Sequence, residues 1–237
     1  VLDPRVTFTR TQGATNAATY YNSSGVLSYA AANTPRFDYD PVALTPKGLL
    51  IEETRTNLFT YSSDYTQSAW AKTNATITTG AATAPDGTVT AQKLVESTTP
   101  TVAHQLRQQV NSLTANVAYA YTIYVQAAGR TRILMSNEGS SNGGGFANFD
   151  LSTISVVSSG TWGNGVLNSY SIVDVGNGWR RCTVVSTTPT DTIRQCYISL
   201  INTGTNNVYT GDGVSGVYVW GAQLEAGSFA TSYIPTV

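Results

Sequence analysis

The sequence has little charge. Of 237 residues, 13 are Lys or Arg and 14 are Asp or Glu, which makes 11% charged and a formal net charge of −1. Soluble domains ordinarily carry roughly 25%. A balance so near zero leaves no broad basic face, so nucleic acid is not an expected partner. Histidine and cysteine are scarce too, at one and two residues. Ser–His–Asp catalysis would have to use His104, which lies in a Gln-rich strand without a G-x-S-x-G elbow. One His and two Cys argue against a zinc site, and two Cys make no disulfide framework. Long apolar runs are missing. The stretches between Arg107 and Arg130 and between Asp150 and Asp174 lack formal charge but are studded with Asn, Gln, Ser, Thr and Gly, which excludes membrane insertion as lipid-facing helices. No P-loop is present, because Gly143-Gly144-Gly145 lacks the following Lys-Ser/Thr and reads as a flexible loop. No secretory signal opens the sequence. It begins with Val1 and not Met, so a processed chain or an excised piece is expected.

Hydrophobic residues make up 41%, which rules out a disordered polyelectrolyte. The missing charge is replaced by Thr, Ser, Asn and Gly, with 21 Gly and 14 Tyr. β-Branched and aromatic residues fit pleated surfaces, and Gly and Asn supply turns. Helical period is nearly absent. The best helix candidate is residues 62–72, with Ser63-Asp64 as a cap. Residues 119–125 alternate, placing Tyr119, Tyr121, Ile123 and Val125 on one face. Residues 179–185 and 193–201 read as two strands of a hairpin about Pro189, with Cys182 and Cys196 nearly opposite on the core face. Two buried thiols are the preferred reading, and a disulfide is the alternative. Residues 217–224 are apolar on both faces, as in a central strand. Many short strands with Gly and Asn turns give an all-β fold, an antiparallel sandwich or barrel.

Residues 1–56 differ. They hold Pro4, Pro35, Pro41 and Pro46, which disrupt central-strand pairing. Short strands are expected at residues 6–10, 19–21, 26–29 and 49–52. The division is a Pro-rich β-hairpin and loop segment over 1–56, which docks or assembles, and a sandwich domain over 57–237.

Several motifs occur in order: Pro35-Arg36-Phe37-Asp38-Tyr39-Asp40-Pro41, Gly48-Leu49-Leu50-Ile51-Glu52-Glu53, Arg55-Thr56-Asn57-Leu58, Ala84-Pro85-Asp86-Gly87-Thr88 and Gly176-Asn177-Gly178-Trp179-Arg180-Arg181-Cys182. The chain closes with Tyr209-Thr210-Gly211-Asp212-Gly213, Tyr218-Val219-Trp220-Gly221-Ala222-Gln223-Leu224-Glu225-Ala226-Gly227 and Thr231-Ser232-Tyr233-Ile234-Pro235-Thr236. This series resembles the bacteriophage head-spike-fibre type domain of head fibres, tail fibres and related appendages. The resemblance implies a jelly-roll-like sandwich similar to carbohydrate-binding modules and a place on the surface of a phage or phage-like virion. It also implies self-association, commonly as a homotrimer, and attachment to capsid, portal or tail proteins through residues 1–56. It carries no catalytic residues to transfer.

Trp179 and Trp220 sit in strands and read as core. Trp162 lies in a Gly-flanked stretch, and residues 137–148 and 158–169 read as long polar loops. Sugars are held by aromatic faces and by polar side chains that read hydroxyls. Trp162, Asn164, Tyr170, Arg130 and Arg132 are therefore the candidate glycan-binding residues. No cofactor is expected, although Asp212 and Glu225 could hold a structural Ca²⁺. Enzyme chemistry is not expected. Glu52-Glu53 is the obvious carboxylate pair, yet adjacent strand residues face opposite ways; Glu138 and Glu96 remain as further acids that no motif supports. The leading expectation is a non-enzymatic appendage protein that attaches to host-surface glycans. The alternatives are a glycan-binding module of a larger extracellular protein and a capsule-degrading enzyme.

Overall fold

The computed structural model describes Thr9, residues 18–141 and residues 143–237. The strand expected at residues 6–10 lies outside them, apart from Thr9. Strands β1 (Thr19–Tyr21) and β2 (Leu27–Tyr29) pair as one hairpin, and β3 (Phe37–Tyr39) and β4 (Pro46–Leu49) as another. Then come β5 (Trp70–Thr73), β6 (Ala75–Ala82), β7 (Ala91–Glu96), β8 (Val102–Ala103), β9 (Gln105–Val110), β10 (Ala118–Ala128) and β11 (Arg132–Glu138). The remainder are β12 (Gly143–Asp150), β13 (Ser155–Gly163), β14 (Val166–Asp174), β15 (Arg180–Thr187), β16 (Arg194–Ile201), β17 (Val208–Tyr209) and β18 (Gly216–Ala226). The described residues contain no helix.

Two six-stranded antiparallel sheets form the jelly-roll-like sandwich expected from the sequence. Sheet I has the order β14-β15-β10-β18-β7-β6, and sheet II has β13-β12-β11-β16-β9-β5. The core between them takes Tyr121, Ile123 and Cys182 from sheet I and Ile133, Met135 and Cys196 from sheet II. The expected alternation of β10 is present. Its other face is buried as well, because Tyr124 packs with Trp179, Trp220 and Tyr233 in a second cluster outside sheet I. Leu27 of β2 joins that cluster, so the first hairpin roofs part of sheet I. Thr19 Oγ1 donates to the Tyr233 carbonyl at 2.7 Å, and Glu52 holds both the Ser232 amide and the Arg36 guanidinium.

Three local expectations are corrected. Of residues 62–72, the first eight form turns that lead into β5 and the last three belong to it. The Asp64 carboxylate accepts from the Thr66 amide and hydroxyl and from Gln67, a local bonding pattern that competes with helix. The expected hairpin of β15 and β16 does not form. β15 pairs with β10 and β14, whereas β16 pairs with β11 and β9, so the chain crosses between sheets after Thr187. Each strand has an apolar inner face, and facing stacking buries both. Cys182 and Cys196 consequently approach the core from opposite sheets as free, buried thiols. Finally, the triple glycine is the start of β12 and no flexible loop. A Cβ on Gly143 would stand 2.1 Å from the Trp162 carbonyl oxygen, and one on Gly144 would stand 2.3 Å from Glu138 Cβ. Glycine is what lets β11, β12 and β13 come together here.

Candidate functional site: the outer face of sheet II

Successive residues of a strand face opposite ways, and paired residues on neighbouring strands share a face. In β11, Ile133 and Met135 enter the core. Leu134, Ser136 and Glu138 therefore face outward. The register then fixes the rest of that surface. Glu138 lies between Gly144 and Gln195, and Trp162 pairs with Gly144. One step along, Ser136 lies between Phe146 and Tyr197, and Gly160 pairs with Phe146. Arg107 of β9 pairs with Tyr197.

The result is an aromatic arc around one carboxylate. Trp162 is 41% exposed, and Phe146 and Tyr197 are half-buried. Small residues separate them. Gly160 leaves room for the Phe146 ring, whose Cζ would be 3.0 Å from a Cβ at that position. Ser136 is fully buried between the two larger rings. Glu138 Oε2 accepts three hydrogen bonds, from Ser136 Oγ at 2.7 Å, Trp162 Nε1 at 2.9 Å and the Tyr197 hydroxyl at 3.3 Å. Its Oε1 accepts none among the described residues. Burial and then the Glu138 carboxylate push the Tyr197 phenol up to about 12, so it stays a neutral donor at pH 7. Arg107 Nη1 donates to Gln195 Oε1 at 2.9 Å beside the arc. Farther along the face, Asn148 Nδ2 donates to Ser158 Oγ, while its Oδ1 is buried without a partner. The surface thus offers flat apolar rings, fixed donors and acceptors, and one open carboxylate oxygen.

The structure scatters the five residues named from sequence. Trp162 belongs to this arc, but it lies in β13 and not in a loop. Asn164 is exposed in the turn beyond β13, next to it. Tyr170 is exposed on β14, an edge strand of the other sheet, opposite Val184. Arg132 begins β11 while Glu138 ends it, so about 20 Å of strand separates Arg132 from the arc. Its Nε donates to Asp150 at 2.8 Å. Arg130 is fully occupied. Its Nε and Nη2 grip Glu96, and its Nη1 donates to Asn202. Neither arginine reaches the tryptophan.

Other candidates have structural surroundings. His104 is buried, with its ring nitrogens 2.7 and 3.2 Å from the carbonyls of Asn74 and Tyr209. Asp212 and Glu225 lie near opposite ends of β18. Asp212 accepts from Val214 and Ser215 and forms an ion pair with Arg130 at 3.7 Å, and buried Glu225 accepts from Gln223 and Thr231. They do not share a site. No group of three His, Cys, Asp or Glu residues is placed to hold a metal ion among the described residues.

Sequence reasoning missed Phe146, Tyr197, Ser136, Gln195 and Arg107. Period-two alternation against core Cys196 and Ile198 was the available signal for Tyr197. Nothing local brings it to Phe146, since both positions follow from the pairing of β11 with β12 and β16.

No protein-family model matches this chain, and no curated protein matches it. Solved structures give distant likenesses. The enzymatically active domain of bacteriophage CBA120 tailspike protein 4 aligns at 15% identity and a TM-score of 0.42, over 72% of this chain and 21% of that one. TmCBM61 in complex with β-1,4-galactotriose aligns at 10% identity and 0.41, over 71% and 97%. The CBM22-1–GH10 modules of Clostridium thermocellum xylanase 10B with xylohexaose align at 11% and 0.42, over 77% and 30%. The chain thus spans about a fifth of the tailspike domain's length and under a third of the xylanase's. At these identities no residue carries over.

Proposed function

We propose that this chain is a non-enzymatic attachment domain that binds host-surface glycan through the outer face of sheet II, carried on an appendage of a phage-like particle. The observation that carries the binding reading is the Trp162–Phe146–Tyr197 arc held around Glu138. Aromatic rings offer C–H surfaces of a sugar an apolar platform, and the attached polar groups fix orientation. Two of the rings, Trp162 and Tyr197, are held in place by a shared carboxylate, so little freedom is lost on binding. Low surface charge suits a neutral or weakly charged polysaccharide. The placement on a particle rests on the ordered sequence motifs.

Binding without hydrolysis is favoured by the carboxylate inventory of the face. Glycosidases flank the bond with two carboxyls roughly 5–9.5 Å apart. On the strands of this face Glu138 and Asp150 sit at the two ends of the β11–β12 pair, about 20 Å apart by strand rise, and the Asp191 carboxylate beside Gly139 is buried.

The test is co-sedimentation of the purified chain with host cells and with their isolated capsule or lipopolysaccharide. Trp162→Ala and Tyr197→Ala should keep their circular dichroism and bind about tenfold more weakly, the worth of one stacked ring. Full-strength binding by both folded variants would remove this face from the account.

A further inference from the structure

A second recess lies on the other side of the sandwich. Arg181 of β15 pairs with both Tyr124 of β10 and Val173 of β14, so the three stand in a row on the outer face of sheet I. The N-terminal hairpins and residues 230–233 bridge over that row and leave a cavity of about 240 Å³. Four tyrosines line it, Tyr20, Tyr21, Tyr124 and Tyr233, together with Asp38 and Arg181. This is smaller than the roughly 300 Å³ at which drug-sized pockets begin, so it suits one ring and not a chain of them.

The charges of the cavity are unevenly paired. Glu52 in its wall is held by Arg36 and Ser232, Lys47 stands 3.3 Å from Asp40, and Asp38 accepts from the Tyr21 amide. Arg181 has no carboxylate partner among the described residues. Its Nη2 donates to the Thr231 carbonyl, and its guanidinium lies 5.7 Å from the Tyr124 ring centroid. Its Nε is buried and makes no hydrogen bond. The Nε atoms of Arg36 and Arg194 are buried without a partner too, so what sets Arg181 apart is its place in the cavity wall with no carboxylate paired to it among the described residues. The guanidinium fork matches a carboxylate.

We infer that this cavity binds a single acidic sugar, with its carboxylate on Arg181 and its ring against the tyrosines. The site is separate from the sheet II face and does not depend on it.

The test is calorimetric titration of the full chain with glucuronate, glucose and acetate. Glucuronate should bind about tenfold or more tightly than either of the others, as one charge-assisted pair is worth at least that. Val173→Trp should abolish glucuronate binding, because Val173 is 52% exposed at the cavity wall and a large ring there fills the space. Arg181→Gln should erase the preference over glucose, while Trp162→Ala should change nothing. Should Arg181→Gln fail to fold, Val173→Trp decides. Absence of glucuronate binding, equal affinity for glucuronate and glucose, or undiminished binding by Val173→Trp would overturn the proposal.

Discussion

The indole Nε1 of Trp162 donates to Glu138 Oε2 at 2.9 Å, across the glycine strand that separates them. A tryptophan that is 41% exposed would ordinarily sample several rotamers. Here the carboxylate fixes one of them, and the same oxygen also receives Tyr197. The arc is therefore set before any ligand arrives.

Glu138 should consequently matter without needing to touch sugar. Glu138→Ala frees both rings and should weaken polysaccharide binding about tenfold, with a smaller loss for Glu138→Gln, which keeps an acceptor at the same place. Binding isotherms of the two variants check this. Equal losses would mean that charge, and not ring positioning, is what counts.

Arg130 should prove structural. Its guanidinium grips the Glu96 carboxylate, whose side chain has no exposure and which also accepts from the Tyr209 hydroxyl at 2.6 Å. Arg130→Ala leaves that carboxylate buried and unpaired, at about 3–5 kcal/mol in urea unfolding. Arg130→Lys should recover only part, since Lys cannot bond in two places. The folded fraction should bind polysaccharide as the parent does.

Acid should weaken the protein through Asp150. Burial raises its carboxyl, but bonds from Ser152, Arg132 and Thr153 outweigh that and hold it at about 2. The folded value lies below the unfolded one, so ionisation favours folding. That stabilisation is complete above the unfolded range of about 4 and is lost as pH falls through about 2. Asp150→Asn should thus be less stable than the parent at pH 6, and the gap should narrow below pH 4 and close only below pH 2. A gap that is constant with pH would contradict the assignment.

The two thiols should be inert. Burial drives both Cys182 and Cys196 well above the ordinary thiol range. Neither should react with a thiol reagent at pH 8 until denaturant is added, and a reductant should leave the melting temperature unchanged. Rapid labelling of the native chain would show that the sandwich opens locally.

Alternation made β10 legible, a run apolar on both faces made β18 legible, and burial habits placed Trp179 and Trp220 in the interior. What failed was non-local. Residues 179–185 and 193–201 look like a hairpin because neighbours in sequence usually pair, and only the apolar inner faces of both strands push them into different sheets. The polar stretches around Gly143 and Trp162 look like loops because Gly, Ser and Asn favour turns. In the fold these glycines are where strands crowd. Trp162 was singled out for exposure beside glycine, and it is exposed. Its companions Phe146 and Tyr197 depend on sheet order, which no local pattern encodes.

The most direct measurement uses the tryptophans. Trp70, Trp179 and Trp220 are 1–2% exposed, and Trp162 is the exposed one of the four. Emission quenched by acrylamide in the native chain should therefore come from Trp162, with Trp162→Phe as the control. Saturating host polysaccharide should shield that emission. Polysaccharide that co-sediments with the chain while quenching of Trp162 stays unchanged would contradict binding at this face.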